Sequence, residues 1–270
     1  MFIRENRTVC DDYMEVDIIP RTLTAENVAS RSRRGKKQKV SRPAQDKLND
    51  KNAKRYLLEL LNGNFTDDDL MVTVTYSDKY LPSTPDAANK CARNYLRRLE
   101  YRRKKLGLDP LKYILTTEYD MDENNEYTLR VHHHIVMNGG LDRDEVESIW
   151  SQRIKGTSKY EPMGRANTRR LQADDLGYQD LTNYLTKQPK RKKRWSASRN
   201  LVTPERLPKR DFKFRPRRLE REINTPDQGR EYFEKKYPDY NIVDVTVKYY
   251  EMTGWHVYLK MWRRVGRMNR

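Results

Sequence analysis

The stretch Thr128-Leu-Arg-Val-His-His-His-Ile-Val-Met137 decides the fold, because it holds three of the four histidines in a run typical of a β strand. An earlier run of the same type covers residues 112–119. The polar stretch Asp120-Met-Asp-Glu-Asn-Asn125 between them suits the loop of a hairpin. We therefore predict two antiparallel strands, with the histidines on the second.

The histidine triplet predicts a metal site. Successive side chains of a strand point to opposite faces, so His132 and His134 share one face while His133 lies on the other. Two imidazoles at this spacing can hold one divalent ion. A hydrogen-bonded place in the core is the default for a lone histidine, and that alternative stays open for this pair.

Glu118 is the candidate third ligand, which an open catalytic metal site requires. It lies late in the first strand, and pairing of the two strands would bring its carboxylate opposite His132 and His134. Taken alone, Glu118 would be interpreted as a surface residue of a hairpin.

Local signals predict the other elements. Met71-Val-Thr-Val-Thr-Tyr76 alternates as a strand does, and Thr84-Pro-Asp86 is an N-cap, a proline and a first-turn acid that open a helix ending at Gly107. The remaining predictions are a helix over 43–62, a helix capped by Asp142, a strand over 166–171, a helix over 174–187, and a hairpin pairing 243–249 with 255–261.

The composition indicates a nucleic-acid partner. The 270 residues carry a formal net charge of +17, which attracts polyanions. Hydrophobic residues make up 36% and charged residues 35%, as expected of a compact core with polar arms. The only cysteines, Cys10 and Cys91, exclude a disulfide framework and a cysteine-based zinc site.

Positive charge is concentrated in two segments. Residues 31–42 hold seven cations and no acid, which is typical of a solvated tail or of an arm that orders on phosphates. Residues 190–221 hold fourteen Lys or Arg against three acids. Trp195, Phe212 and Phe214 stand among these cations and could stack on unpaired bases or pack a small extension, and we give the two interpretations equal weight.

Tyr178 and Tyr184 are the candidate nucleophiles of the helix over 174–187. At about 100° per residue, Tyr178 falls on the buried stripe with Leu181, and Tyr184 lies roughly a quarter turn away. A phenol with the ordinary pKa of about 10 is a weak nucleophile at neutral pH, so it needs a metal on the phosphate and a nearby cation. Lys187, one turn on, offers that cation. Among 18 tyrosines, Tyr184 would otherwise be interpreted as an amphipathic residue at a helix boundary.

These residues together resemble the HUH endonuclease superfamily, and within it the rolling-circle replication initiators of phage, prophage and plasmid type. Val72-Thr-Val-Thr-Tyr76 followed by Leu81-Pro82 resembles the first family motif. His132-His-His134 matches the histidine, bulky residue, histidine motif, and Tyr184-Leu-Thr-Lys187 matches the tyrosine, two residues, lysine motif. The three occur in the family's order, and the resemblance covers roughly residues 70–201.

Two departures from the family pattern bear on the site. Some relatives carry two nucleophilic tyrosines on one helix turn, whereas six residues separate Tyr178 from Tyr184. We therefore expect Tyr184 to act alone, with Tyr178 in the core or, less favoured, as a second tyrosine. Glu118 follows Thr117 where relatives often have glycine before the glutamate.

The resemblance implies an α+β fold with a central antiparallel sheet of about five strands and flanking helices, extended here by a basic N-terminal arm and a C-terminal β-hairpin. It implies Mg²⁺ or Mn²⁺ on His132, His134 and Glu118. Tyr184 would nick and rejoin single-stranded DNA through a 5′-phosphotyrosine intermediate, and Lys187 would stabilise charge. The DNA contacts would be Lys190, Arg191, Lys192, Lys193, Arg194, Trp195 and Arg199.

The implied partners are an origin hairpin or loop of single-stranded DNA and a host helicase and polymerase. The sequence contains no phosphate-binding loop of a helicase motor, so another protein would unwind the DNA. The first twenty residues lack the apolar stretch of a secretory signal, and no apolar run could span a membrane. We expect a protein of the bacterial host cytoplasm with no membrane partner.

We predict four segments: a basic N-terminal arm and helix over 1–64, the nickase catalytic domain over 65–190, a basic DNA-contacting linker over 191–225, and a C-terminal helix and β-hairpin over 226–270 packed on the same core. Two alternatives stay open. One is a relaxase or transposase with the same chemistry. The other is a non-catalytic nucleic-acid-binding protein in which the histidines are structural.

Overall fold

The computed structural model describes residues 1–24, 26–27, 43–124, 126–187 and 194–264. The basic run over 31–42 and the predicted DNA contacts Lys190, Arg191, Lys192 and Lys193 lie outside the described residues.

The chain divides into two compact units, which we name by their contents. The histidine unit comprises Phe65–Ala173 and Asp180–Leu201. The terminal unit comprises Met1–Asn64, Asp174–Gln179 and Val202–Arg270. This division differs from the four consecutive segments predicted above, because the terminal unit joins both ends of the chain.

Both units contain strands and helices. In the described part of the chain the strands are β1 (Phe2–Cys10), β2 (Tyr13–Arg21), β3 (Leu70–Val74), β4 (Tyr113–Met121), β5 (Tyr127–Met137), β6 (Ser151–Arg153), β7 (Tyr160–Pro162), β8 (Ala166–Arg170), β9 (Ser196–Ala197), β10 (Glu205–Arg206), β11 (Arg210–Asp211), β12 (Tyr240–Tyr250) and β13 (Gly254–Arg263). The α-helices are α1 (Pro43–Asn64), α2 (Pro85–Lys105), α3 (Arg143–Ser148), α4 (Gln179–Leu185), α5 (Pro216–Ile223) and α6 (Arg230–Lys236).

The histidine unit is built on a five-stranded antiparallel sheet in the order β8-β3-β5-β4-β9. The histidine strand β5 lies in the middle, between β3 and β4. The predicted hairpin of β4 and β5 is confirmed, and its register places Glu118 opposite His132. The α+β class and the central sheet of about five strands are confirmed as well.

One face of this sheet carries the core of the histidine unit. Val131, Ile135 and Met137 of β5 are buried there with the apolar stripe of α2, which includes Tyr95 and Leu99. Helix α2 begins as predicted: the Thr84 hydroxyl accepts a hydrogen bond from the Ala87 N–H at 3.2 Å, and Pro85 follows in the first turn. Because side chains alternate, His132 and His134 lie on the opposite face.

Helix α4 is shorter than the predicted helix over 174–187. Asp174 and Gly177 close a turn by two backbone hydrogen bonds, and the Asp174 carboxylate accepts a further bond from the Leu176 N–H at 2.7 Å. Gly177 has a φ of +76°, which a helix excludes. The helix therefore begins at Gln179, and Tyr178 precedes it.

The terminal unit contains a second antiparallel sheet in the order β10-β1-β2-β13-β12, with β11 also paired to β1. Residues 2–21, which the sequence assigned to an arm, form the β1–β2 hairpin. The predicted C-terminal hairpin is confirmed as β12–β13, and its second strand pairs with β2. Its Leu259 is buried with Ile18, Phe214 and Phe233, so this sheet has a core of its own.

In the described residues, no helix is both long enough and apolar enough to cross a membrane.

Candidate metal and tyrosine site

Three potential metal ligands converge on the face of the central sheet that carries His132 and His134. The Glu118 Oε2 atom lies 3.2 Å from His132 Nε2 and 3.4 Å from His134 Nε2. One ligand atom from each residue lies within 4.8 Å of the other two. The three residues therefore form a cluster that could hold a metal ion, as the pairing of β4 with β5 predicted.

Hydrogen bonds orient both imidazoles of this cluster. His132 Nδ1 lies 3.0 Å from the carbonyl oxygen of Arg130, which can only accept, so Nδ1 carries the proton and Nε2 presents its lone pair to the cluster. His134 Nδ1 lies 3.1 Å from the hydroxyl of Thr73, the residue paired with it on β3. Such outer partners fix the ring and the tautomer of a metal-binding histidine.

The electrostatics favour the protonation states that a cation needs. Burial, followed by the neighbouring His132, lowers the pKa of His134 to about 4. Burial raises the pKa of Glu118, but the hydrogen bond and charge of Lys187, with those of the two histidines, outweigh burial and hold that pKa below its ordinary value. At neutral pH, His134 is neutral and Glu118 is ionised, as metal ligation requires.

His133 has a structural role on the opposite face. Its Nε2 lies 2.9 Å from the Tyr76 hydroxyl, and its Nδ1 lies 2.9 Å from the Thr117 hydroxyl. The Tyr76 hydroxyl donates to the Ala88 carbonyl, so His133 Nε2–H donates to Tyr76 and Nδ1 accepts from Thr117. Burial and the two flanking histidines lower the pKa of His133 to about 3, which keeps the ring neutral.

Tyr184 and Lys187 stand beside the metal cluster. The Tyr184 hydroxyl lies 3.2 Å from His134 Nε2, and its side chain is 41% exposed. Lys187 Nζ lies 3.1 Å from Glu118 Oε1 and 4.6 Å from the centre of the Tyr184 ring. A phenol, a cation and three potential ligands thus meet at one place.

Tyr178 is not among these residues. It belongs to the terminal unit, its side chain is buried, and its backbone N–H donates to Asn62 Oδ1 at 2.9 Å. The sequence-based expectation that Tyr178 lies in the core therefore agrees with the structure.

The predicted DNA contacts that the structure describes differ in their surroundings. Arg194 lines a recess together with Thr116, Tyr184 and Lys187. Trp195 is half-buried and Arg199 is exposed. Strand β9 follows Trp195 directly and pairs with β4 through Ser196 and Leu115, which explains why Arg194 reaches the site.

The two phenylalanines of the basic segment have opposite environments. Phe214 is 1% exposed in the core of the terminal unit, which supports the packing interpretation for this ring. Phe212 is 71% exposed, and its ring centre lies 5.1 Å from that of Phe2.

Sequence reasoning missed the threonines around the site. Thr73 contacts the outer nitrogen of His134, and Thr116 lines the recess. The alternation in Val72-Thr-Val74 of the neighbouring strand was the available signal for Thr73, because it places Thr73 on the same face as the histidine pair.

One comparison with known proteins bears on this geometry. Residues 69–189 match a family model of replication-associated proteins, the ORF2 type. The matched span includes Glu118, His132, His134, Tyr184 and Lys187. The match supports a role in the initiation of replication, and a protein with that role binds DNA. No curated protein and no solved structure matches the chain significantly.

Proposed function

We propose that this protein is an HUH-type endonuclease that starts rolling-circle replication by nicking and rejoining single-stranded DNA at an origin. The observation that carries the proposal is the meeting of Tyr184, Lys187 and the cluster of Glu118, His132 and His134 on one sheet face. The match to a replication-associated family over the same residues supports it.

The three cluster residues fit a divalent cation. Two neutral imidazole nitrogens and one carboxylate oxygen form a mixed set that suits Mn²⁺ and, with added water, Mg²⁺. Such an ion, when bound, polarises the phosphate and neutralises charge that develops on its oxygens. Three protein ligands on a partly open face leave room for substrate oxygens, as a catalytic site requires.

Tyr184 is the proposed nucleophile. Its oxygen would bond to the phosphorus while the bond from phosphorus to the 3′ oxygen breaks. The phenol releases its proton, and the leaving oxygen takes up a proton to become a free 3′-OH that a polymerase can extend. The phosphodiester energy is kept in the 5′-phosphotyrosine, so the reverse reaction rejoins the strand without ATP.

Lys187 is proposed to stabilise negative charge during this exchange. Its ammonium group lies near both the Tyr184 ring and Glu118, so it can follow the charge that forms on the phenol oxygen. Arg194, on the wall of the same recess, is placed to contact a phosphate of the strand. A host helicase and a host polymerase would act on the nicked DNA.

The proposal is tested with single-stranded oligonucleotides from the protein's own replicon, incubated with Mn²⁺ or with EDTA. We expect a denaturant-stable protein–DNA adduct that requires Mn²⁺ and is lost in Tyr184→Phe and in His134→Ala. Tyr160→Phe is the matched control, because Tyr160 is an exposed tyrosine of the same unit that lies outside the site. An adduct that persists in Tyr184→Phe would assign another nucleophile. No adduct with any origin-containing DNA would favour a non-catalytic binding protein.

A further inference from the structure

The terminal unit contains a cavity of about 450 Å³ that shares no residue with the metal and tyrosine site. It is walled by β1, β2, α1 and the segment 206–209. Cavities of this size accommodate small-molecule ligands. The residues on its wall indicate the chemistry of the ligand.

Two cations on this wall lack partners. Arg206 and Lys209 are exposed and make no hydrogen bond or ion pair with any other residue that the structure describes. Arg4, in contrast, is held by Asp211 at 2.7 Å, and Arg55 is held by Asp17 at 2.7 Å. Arg206 and Lys209 are therefore the cations available to a phosphate group.

The carboxylates on the wall do not cancel this charge. Asp17 and Glu59 are the acids that line the cavity, and both are paired with Arg55, at 2.7 Å and 3.2 Å. Burial, assisted by the nearby Glu15, also raises the pKa of Glu59 to about 7, which reduces its negative charge at neutral pH.

An aromatic ring and two amides complete the wall. Tyr56 is 41% exposed, and Asn52 precedes it by one helical turn on the same face of α1. Asn6 of β1 contributes a second amide. Within the described residues, these three side chains form no hydrogen bonds with one another or with other residues. A ring and amides near two cations match the groups that recognise a base and its phosphate.

We propose that this cavity binds one nucleotide, with its phosphate on Arg206 and Lys209 and its base against Tyr56 and the amides. The nucleotide can be part of a single strand or free in solution. The inference goes beyond the proposed nicking function, since it requires neither a metal nor Tyr184. It gives the terminal unit a ligand, although the family match ends at residue 189 and begins at residue 69.

The test uses the full chain carrying Tyr184→Phe, in EDTA, so that no nicking occurs. The cavity variants are Tyr56→Ala and the double variant Arg206→Ala/Lys209→Ala. The matched controls are Tyr249→Ala, an exposed ring of the same unit, and Lys235→Ala/Lys236→Ala, two exposed cations of α6. One arm measures binding of a fluorescent oligothymidylate by anisotropy at several salt concentrations. The other measures thermal stabilisation by dTMP.

We expect each cavity variant to weaken oligothymidylate binding about ten-fold, the scale of one lost stacking contact or of two lost phosphate contacts. The double variant should also reduce the salt slope by about 1.4, since each single-strand phosphate contact contributes about 0.7. The controls should change affinity by less than about three-fold.

The two arms identify the source of the nucleotide. Loss in the oligothymidylate arm assigns a nucleotide of a strand, and loss in the dTMP arm alone assigns a free nucleotide. If both cavity variants behave like their controls in both arms, the inference is overturned. Because EDTA and Tyr184→Phe abolish nicking in every sample, a failure of the proposed nicking function cannot produce either result.

Discussion

At the scale of single residues, the histidine triplet is divided by the alternation of β5. His132 and His134 face the metal cluster, and His133 is buried between Tyr76 and Thr117 on the other face. The sequence alone predicted this division, because it follows from strand geometry. It could not identify the partners of His133, since these come from β4 and from the end of β3.

The buried, neutral His133 makes stability depend on pH. Its pKa of about 3 in the folded protein lies below the ordinary value of about 6.5, so the unfolded chain binds more protons between these values. The stabilisation is therefore complete above pH 6.5 and is lost as the pH falls toward 3. We expect His133→Gln to reduce the fall in the free energy of unfolding between pH 6.5 and 4.5 by up to ~1.4 kcal/mol per pH unit. Urea unfolding at several pH values measures this, and equal slopes in the parent protein and the variant would contradict it.

Lys187 has two opposed effects at the proposed site. Its ammonium group holds Glu118 at 3.1 Å, so it competes with a cation for that carboxylate. We expect Lys187→Met to tighten Mn²⁺ binding about five-fold, corresponding to ~1 kcal/mol between exposed charges, and to slow adduct formation at least ten-fold. Lys187→Arg should remain closer to the parent protein in both. Mn²⁺ titration by electron paramagnetic resonance and single-turnover kinetics measure the two effects. Weaker Mn²⁺ binding together with an unchanged rate would refute this role.

At the scale of elements, local signals predicted the parts of the site that depend on nearby residues. The β4–β5 hairpin, the Thr84 cap of α2 and the strand β8 agree with the sequence-based prediction. The start of α4 did not, because Asp174 forms a turn with Gly177 instead of capping a helix. Strand β9 escaped prediction too, since two residues carry no periodic pattern.

The turn at Gly177 has little space for any other residue. A Cβ there would lie 2.4 Å from Asn62 Oδ1, the atom that accepts the Tyr178 N–H, and its φ of +76° is unfavourable for alanine. We expect Gly177→Ala to lower the free energy of unfolding by about 2–3 kcal/mol. Gly107→Ala is the matched control: its φ is +68° with no atom within 4 Å, so it should cost only about 1 kcal/mol. Equal losses in urea unfolding would show that the close approach to Asn62 has no effect.

At the scale of the whole molecule, the protein has two sheets with separate cores. The sequence analysis interpreted residues 2–21 as part of an arm because charged residues interrupt the apolar pattern of β1. Glu5 is fully buried there, and it is held by Lys213 at 2.5 Å and by the Tyr237 hydroxyl. These partners lie more than two hundred residues away, so no local pattern could have revealed that this carboxylate is internal.

The central claim concerns a covalent bond at Tyr184, and peptide mapping tests it most directly. The Mn²⁺-dependent adduct would be formed with origin DNA, digested with nuclease and protease, and analysed by tandem mass spectrometry. The account predicts a nucleotide linked through its 5′ phosphate to Tyr184, together with a released strand that a polymerase extends from its 3′-OH. A nucleotide on Tyr178 or any other residue, or a linkage through a 3′ phosphate, would contradict it.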